Sequence, residues 1–101
     1  MIVSVIYHLA SGQKFDLDYY MKSHVPLVGS LLGPCGLKGT QFLHGTGSPS
    51  GPAPIKLIAL LEFDSLAAFG AAMDKHGAAI MGDIANFTDA QPSIQFNEQL
   101  T

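Results

Sequence analysis

His24 sits in the middle of an otherwise apolar helical stripe, Leu17, Tyr20, Met21, His24, Leu27, Val28 and Leu31. The stripe follows i, i+3, i+4, i+7 spacing, which puts Tyr20 and His24 one turn apart on the same face. A histidine on a buried face must find hydrogen-bond partners or suffer desolvation. The bland reading is a core histidine satisfied by a backbone carbonyl or by Tyr20, and the spacing alone favours it. The functional reading is a general acid/base, or a ligand-binding group, facing a cavity between helices and sheet.

A second polar cluster lies in Asp83-Ile-Ala-Asn-Phe-Thr-Asp89. Asp83 follows Ile80 by one turn and borders the inner face of a second helix. A carboxylate there either orients an imidazole or caps the short piece that follows; spacing favours the cap. Asn86, Thr88 and Asp89 have the character of turn residues leading to a last strand. His8, His44 and His76 show no H-x-x-x-H spacing, so no metal site is expected. Ser, His and Asp are present without a G-x-S-x-G elbow. Cys35, the single cysteine, sits between Pro34 and Gly36, where an idle thiol fits better than a nucleophile.

These groups need a scaffold, and the chain supplies strand, helix, strand, strand, helix, strand. Ile2–Leu9 and Ile55–Phe63 read as strands with two apolar faces, the first bounded by the turn Ala-Ser-Gly-Gln at 10–13. An antiparallel sheet with one wet face would alternate cleanly, so both faces of these two strands should be covered. Lys38–His44 and Ser93–Glu98 are shorter and more polar, which suits sheet edges. Asp16 caps the first helix, with Phe15 and Tyr20 placed as a hydrophobic staple and Asp18–Lys22 as an i, i+4 pair. Pro26 should kink or restart that helix, and Gly33-Pro34 ends it. Asp64-Ser65 caps the second helix, with Leu66, Phe69, Met73, Ile80, Ile84 and Phe87 inward. Gly77 and Gly82 predict two short pieces there rather than one rod. The Gly/Pro/Ser tract 45–54 reads as a mobile loop, and its Gly45-x-Gly47 is no dinucleotide fingerprint, because no helix follows.

The expected architecture is therefore α+β, a single ferredoxin-like βαββαβ domain over residues 1–101 with an antiparallel four-stranded sheet. Hydrophobic residues make up 48% of the chain and charged ones only 13%, against about 25% in typical soluble domains. So little charge, with doubly apolar strands, predicts a homodimer whose sheets meet face to face and bury more than about 2,000 Å². The net charge is −3, the five basic residues are scattered lysines and there is no arginine. Nucleic acid is therefore not an expected partner, nor is a phosphorylated cofactor gripped by side chains. One held by backbone amides stays open. The first residues lack signal-peptide character and no apolar run approaches the roughly 20 residues of a membrane span, so a cytoplasmic protein is expected.

Three segments resemble the EthD family, named for bacterial ethyl tert-butyl ether degradation and part of the dimeric α/β-barrel superfamily. Phe15-Asp-Leu-Asp-Tyr-Tyr-Met-Lys-Ser-His24-Val-Pro26-Leu is similar to its first-helix motif. Ala59-Leu-Leu-Glu-Phe-Asp-Ser65 resembles its third strand and second helix cap, and Asp83–Asp89 its second signature. The resemblance implies two ferredoxin-like subunits whose sheets form a barrel, with no cofactor. It carries Tyr20, His24 and Asp83 over as catalytic residues, with Asn86 and Phe87 beside them for substrate. Loop 45–54 matches no family signature.

Two functions follow as expectations. One is a cofactor-independent catalyst, an oxidoreductase or monooxygenase, isomerase or cyclase, acting on a small hydrophobic or aromatic carbonyl compound with His24 as acid/base. The alternative is a non-catalytic accessory protein that holds a hydrophobic metabolite for a degradation pathway. Haem binding finds little support without arginine or a clear proximal histidine.

Overall fold

Four strands, β1 (Ile2–Tyr7), β2 (Leu37–His44), β3 (Leu57–Phe63) and β4 (Ser93–Asn97), form one antiparallel sheet in the order β2-β3-β1-β4. The computed structural model describes residues 1–10 and 12–101. Of the turn expected at 10–13, Ser11 lies outside the described residues. The two doubly apolar strands occupy the centre and the polar ones the edges. Both central strands are shorter than their apolar runs: β1 stops at Tyr7 and β3 starts at Leu57, where the Lys56 amide donates to the Tyr7 carbonyl at 2.9 Å.

Register assigns the two faces. Val3, Val5 and Tyr7 pair with Leu61, Ala59 and Leu57, and this face lies under the helices with its β1 and β3 side chains largely buried. The other face carries Ile6 opposite Ile58, Ser4 opposite Leu60, and Leu43 opposite Ile58. No element of the described chain is stacked on it, and Leu43 is 47% exposed.

The first helical arm begins with α1 (Leu17–Tyr19), where Asp16 accepts a hydrogen bond from the Tyr19 amide at 3.0 Å. The staple rings of Phe15 and Tyr20 are 5.4 Å apart, and Lys22 bridges Asp18 at 3.1 Å. A π-helical turn, Tyr20–His24, then passes into α2 (Val25–Leu32). The Val25 amide reaches back to the Tyr20 carbonyl, so the ladder widens just before Pro26, which has no amide to donate. The wider turn changes the inner face. Tyr20, His24, Val28 and Leu32 are buried, whereas Met21 turns outward, 46% exposed, and Leu31 is only half-buried. A pattern drawn at 3.6 residues per turn could not show that slip. A 3₁₀ turn, Gly33–Cys35, closes the arm, and Gly36 follows with φ 99°, a left-handed geometry open to glycine.

The second arm is α3 (Leu66–Asp83), capped by Ser65, whose Oγ accepts from the Ala68 amide at 3.1 Å. It is one continuous helix of 18 residues, not the two pieces expected from its glycines. Gly77 is buried on the inward face, where Phe69, Ala72 and Ile80 pack into the core, so burial of that face offsets the poor propensity of the glycine. The inward stripe starts at Phe69 and runs through Ala72, Gly77 and Ile80; Leu66, expected inside, is 51% exposed on the first turn. A 3₁₀ turn, Ile84–Asn86, follows. Tract 45–54, expected to be a mobile loop, holds a tight turn in which the Ser48 and Gly51 backbones exchange hydrogen bonds of 2.9 and 3.1 Å. Gly45 is required where it stands, since a Cβ would lie 2.0 Å from the Ile55 carbonyl oxygen.

The helix-side core divides in two. One cluster centres on Val3, Leu32, Leu61, Phe63 and Phe69; the other holds Tyr7, Tyr20, Leu57, Ile84 and Phe87. The described helices include none long and apolar enough to cross a membrane.

Candidate functional site

A cleft between sheet and helices separates these two clusters and draws its walls from both, among them Val28, Leu61 and Phe69 on one side and Tyr7, Tyr20 and Ile84 on the other. It is narrow, with a cavity volume of about 50 Å³. Its most exposed lining residues, Met81 at 42% and Ile94 at 43%, put the entrance between α3 and β4. The walls are apolar except for Tyr7, Tyr20 and His24.

The π turn brings His24 to this cleft and buries it to 4% exposure. Tyr20 stacks beside the imidazole with ring centres 5.4 Å apart and planes 27° from parallel, and Phe87 closes on it at 4.7 Å. Nδ1 of His24 lies 2.9 Å from Oδ2 of Asp83. Spacing favoured Asp83 as a cap, but its side chain makes no capping bond to the 3₁₀ turn. Oδ1 instead accepts from the Tyr19 hydroxyl at 2.7 Å and from Asn86 Nδ2 at 2.9 Å. Both carboxylate oxygens are therefore committed, one of them to the histidine.

The electrostatics follow from these contacts. Burial, the strongest single influence, pushes the Asp83 carboxyl up, but the hydrogen bonds from Tyr19, Asn86 and His24 together outweigh it and hold the group below the usual carboxylate range. Tyr19 is raised, first through its bond to the Asp83 carboxylate. Burial raises Tyr7 and Tyr20 well above the ordinary phenol range, and for Tyr20 the neighbouring Tyr7 adds to it. Both phenols stay neutral donors at ordinary pH.

With the Asp83 carboxylate accepting from Nδ1–H, the neutral imidazole carries its lone pair on Nε2. Among the described residues that atom has no partner, and no unpaired side-chain nitrogen or oxygen is sealed from open space. Nε2 therefore keeps contact with open space, and the ring lines the cleft. The arrangement can exchange a proton with a molecule bound there. Among the described residues no three potential metal-binding side chains come together.

Of the residues singled out in the sequence, Tyr20 and His24 line the cleft, while Asp83, Asn86 and Phe87 stand behind them. Asn86 is exposed and holds Asp83; Phe87, 1% exposed, supports the rings of Tyr20 and His24. The sequence reading missed two residues. Tyr19 lies off the apolar stripe and carried no signal. Tyr7 shares the inward face of β1 with Val3 and Val5, and a tyrosine among such neighbours was the available sign.

The EthD domain model matches residues 12–91. Among solved structures, an EthD-like protein from Ralstonia eutropha JMP134 is 34% identical, superposes with TM-score 0.90, and the match covers 99% of this chain and 91% of that one. An EthD family protein from Bacillus halodurans C-125 is 18% identical with TM-score 0.66, covering 96% and 97%. HapK from Hahella chejuensis, 14% identical with TM-score 0.53 over 95% and 92%, shares the fold. No curated protein matches the chain.

Proposed function

The chain belongs to the EthD family, and we propose that it binds a small hydrophobic or aromatic carbonyl compound in the cleft and exchanges a proton with it through His24. The observation that carries this reading is the 2.9 Å contact of Nδ1 with Asp83, which leaves Nε2 unpartnered on a cleft wall. Asp83 orients the ring, while Tyr19 and Asn86 hold Asp83. Isomerisation or cyclisation through proton transfer beside a carbonyl needs only groups found here; a monooxygenase would add dioxygen to the carbanion left by that transfer, giving a hydroperoxide that breaks down to a new carbonyl and water. The alternative, a non-catalytic accessory protein that holds a metabolite, uses the same cleft without the proton transfer.

The unit of function in this proposal is a homodimer. The face bearing Ile6, Ile58, Leu60 and Leu43 supports it, because four aliphatic side chains in one patch favour burial against a second copy. Pairing two such sheets gives the barrel that the family resemblance implies.

The test uses 5-nitrobenzisoxazole, a small aromatic that opens to a coloured phenolate when a base removes its ring C–H proton. The protein should accelerate the opening, and His24→Asn, which keeps polarity without basicity, should lower the rate by about 10²-fold or more. Melting temperature is read on the same sample. A rate unchanged by His24→Asn together with a lower melting temperature makes the histidine structural, and no acceleration by the wild type overturns the acid/base role.

A further inference from the structure

Tyr7 and Tyr20 are 1% and 2% exposed, yet neither hydroxyl has a partner among the described residues. Buried tyrosines ordinarily satisfy that group. Neither oxygen is sealed from open space, and both side chains line the cleft. Their rings meet edge to face at 6.1 Å, and Phe15 and Phe87 brace Tyr7 at 5.3 and 5.8 Å. Two fixed, neutral donors thus stand at one end of an apolar cleft, next to the one proton acceptor in its wall.

We propose that the hydroxyls of Tyr7 and Tyr20 together clasp a single carbonyl or phenolic oxygen beside His24, so that the ligand is an uncharged, ring-sized molecule carrying that oxygen at one end. This rests on the cleft being the ligand site and adds Tyr7 as a binding residue. Two donors on one oxygen match a carbonyl with its two lone pairs. They also oppose a charge that grows there when a neighbouring C–H proton leaves, as oxyanion donors do. No lysine or arginine lines the cleft, so a carboxylate ligand would be buried without a counter-ion. The phenols stay protonated at ordinary pH because burial raises them, which keeps them donors.

The test compares acetophenone with isopropenylbenzene, which has nearly the same shape with CH₂ in place of the carbonyl oxygen, and with benzoate. Binding is measured by titration calorimetry to the wild type, Tyr7→Phe and Tyr20→Phe. Both substitutions keep the rings and remove hydroxyls that bond no group among the described residues, so the fold stands. Acetophenone should bind the wild type about 10-fold more tightly than isopropenylbenzene, and benzoate more weakly than acetophenone. Each substitution should weaken acetophenone by about 2- to 10-fold, the range for one hydrogen bond, and leave isopropenylbenzene within about 2-fold. The carbonyl stretch of bound acetophenone should lie at lower frequency in the wild type than in either variant. Equal wild-type affinity for the two isosteres, or equal weakening of both by the substitutions, overturns the clasp and leaves the His24 reading standing. Failure of both probes to bind overturns the clasp and the cleft as a site for such ligands, while loss of base activity towards 5-nitrobenzisoxazole alone strikes only His24.

Discussion

Replacing Asp83 by alanine removes the acceptor of three hydrogen bonds at once. The three are not equal. Tyr19 and Asn86 are reached by water, which takes the place of the lost carboxylate at little cost. The His24 side chain is only 5% exposed, so its Nδ1–H is left facing a gap. A hydrogen bond to an ionised partner contributes about 1.5–3 kcal/mol, and the loss at His24 should fall in that range. For a domain of this size about 1 kcal/mol moves the melting temperature by roughly 4–8 °C, so Asp83→Ala should melt about 10 °C below the wild type at neutral pH. Circular dichroism melting at fixed protein concentration measures it. The pH dependence has a definite sign. The folded carboxyl is held below its ordinary value, so its stabilisation is complete above the unfolded value of about 4 and is lost as pH falls through the folded one. The gap between wild type and variant should therefore close in acid. A gap that is absent at neutral pH, or unchanged in acid, refutes the Asp83–His24 pairing as a stabilising contact.

Two further expectations concern other parts of the molecule. Ile58→Asp puts a carboxylate on the open sheet face, where a partner sheet would leave it unpaired; sedimentation should show a dissociated or unfolded variant, and a well-folded wild-type monomer at micromolar concentration refutes the dimer. The three tyrosines (Tyr7, Tyr19 and Tyr20) are all raised above the ordinary phenol range, so near-ultraviolet titration should show less phenolate than free tyrosine gives at about pH 10 while the protein stays folded. Their unfolded forms ionise first, so stability should fall as pH rises past that point; early ionisation of all three refutes their burial and bonding.

The strand pattern, the caps at Asp16 and Ser65, the edge and centre positions in the sheet and the break near Pro26 were legible in the chain itself. Each depends on neighbours a few residues away: alternation along a strand, a side chain reaching an amide three residues on, a missing donor. His24 was marked for the same reason, as a polar residue among apolar neighbours at helical spacing. The partner of His24 was not legible. Asp83 is 59 residues away, and local spacing spoke for a helix cap; only the packing of the α3 end against the π turn brings carboxylate and imidazole together. The single-rod form of α3 likewise depends on its inward residues Phe69, Ala72 and Ile80 packing into the core, a tertiary effect that outweighs helix propensity. Tyr19 and Tyr7 show the limit most plainly. One lies off the stripe and the other reads as a strand residue, and nothing local distinguishes a hydroxyl that grips Asp83 from one left free on a cleft wall. Helices and strands arise from short-range periodicity, so the sequence by itself determined them; the cleft is space left between two core clusters built from all four strands and both helical arms, and only the assembled fold decided which groups face it.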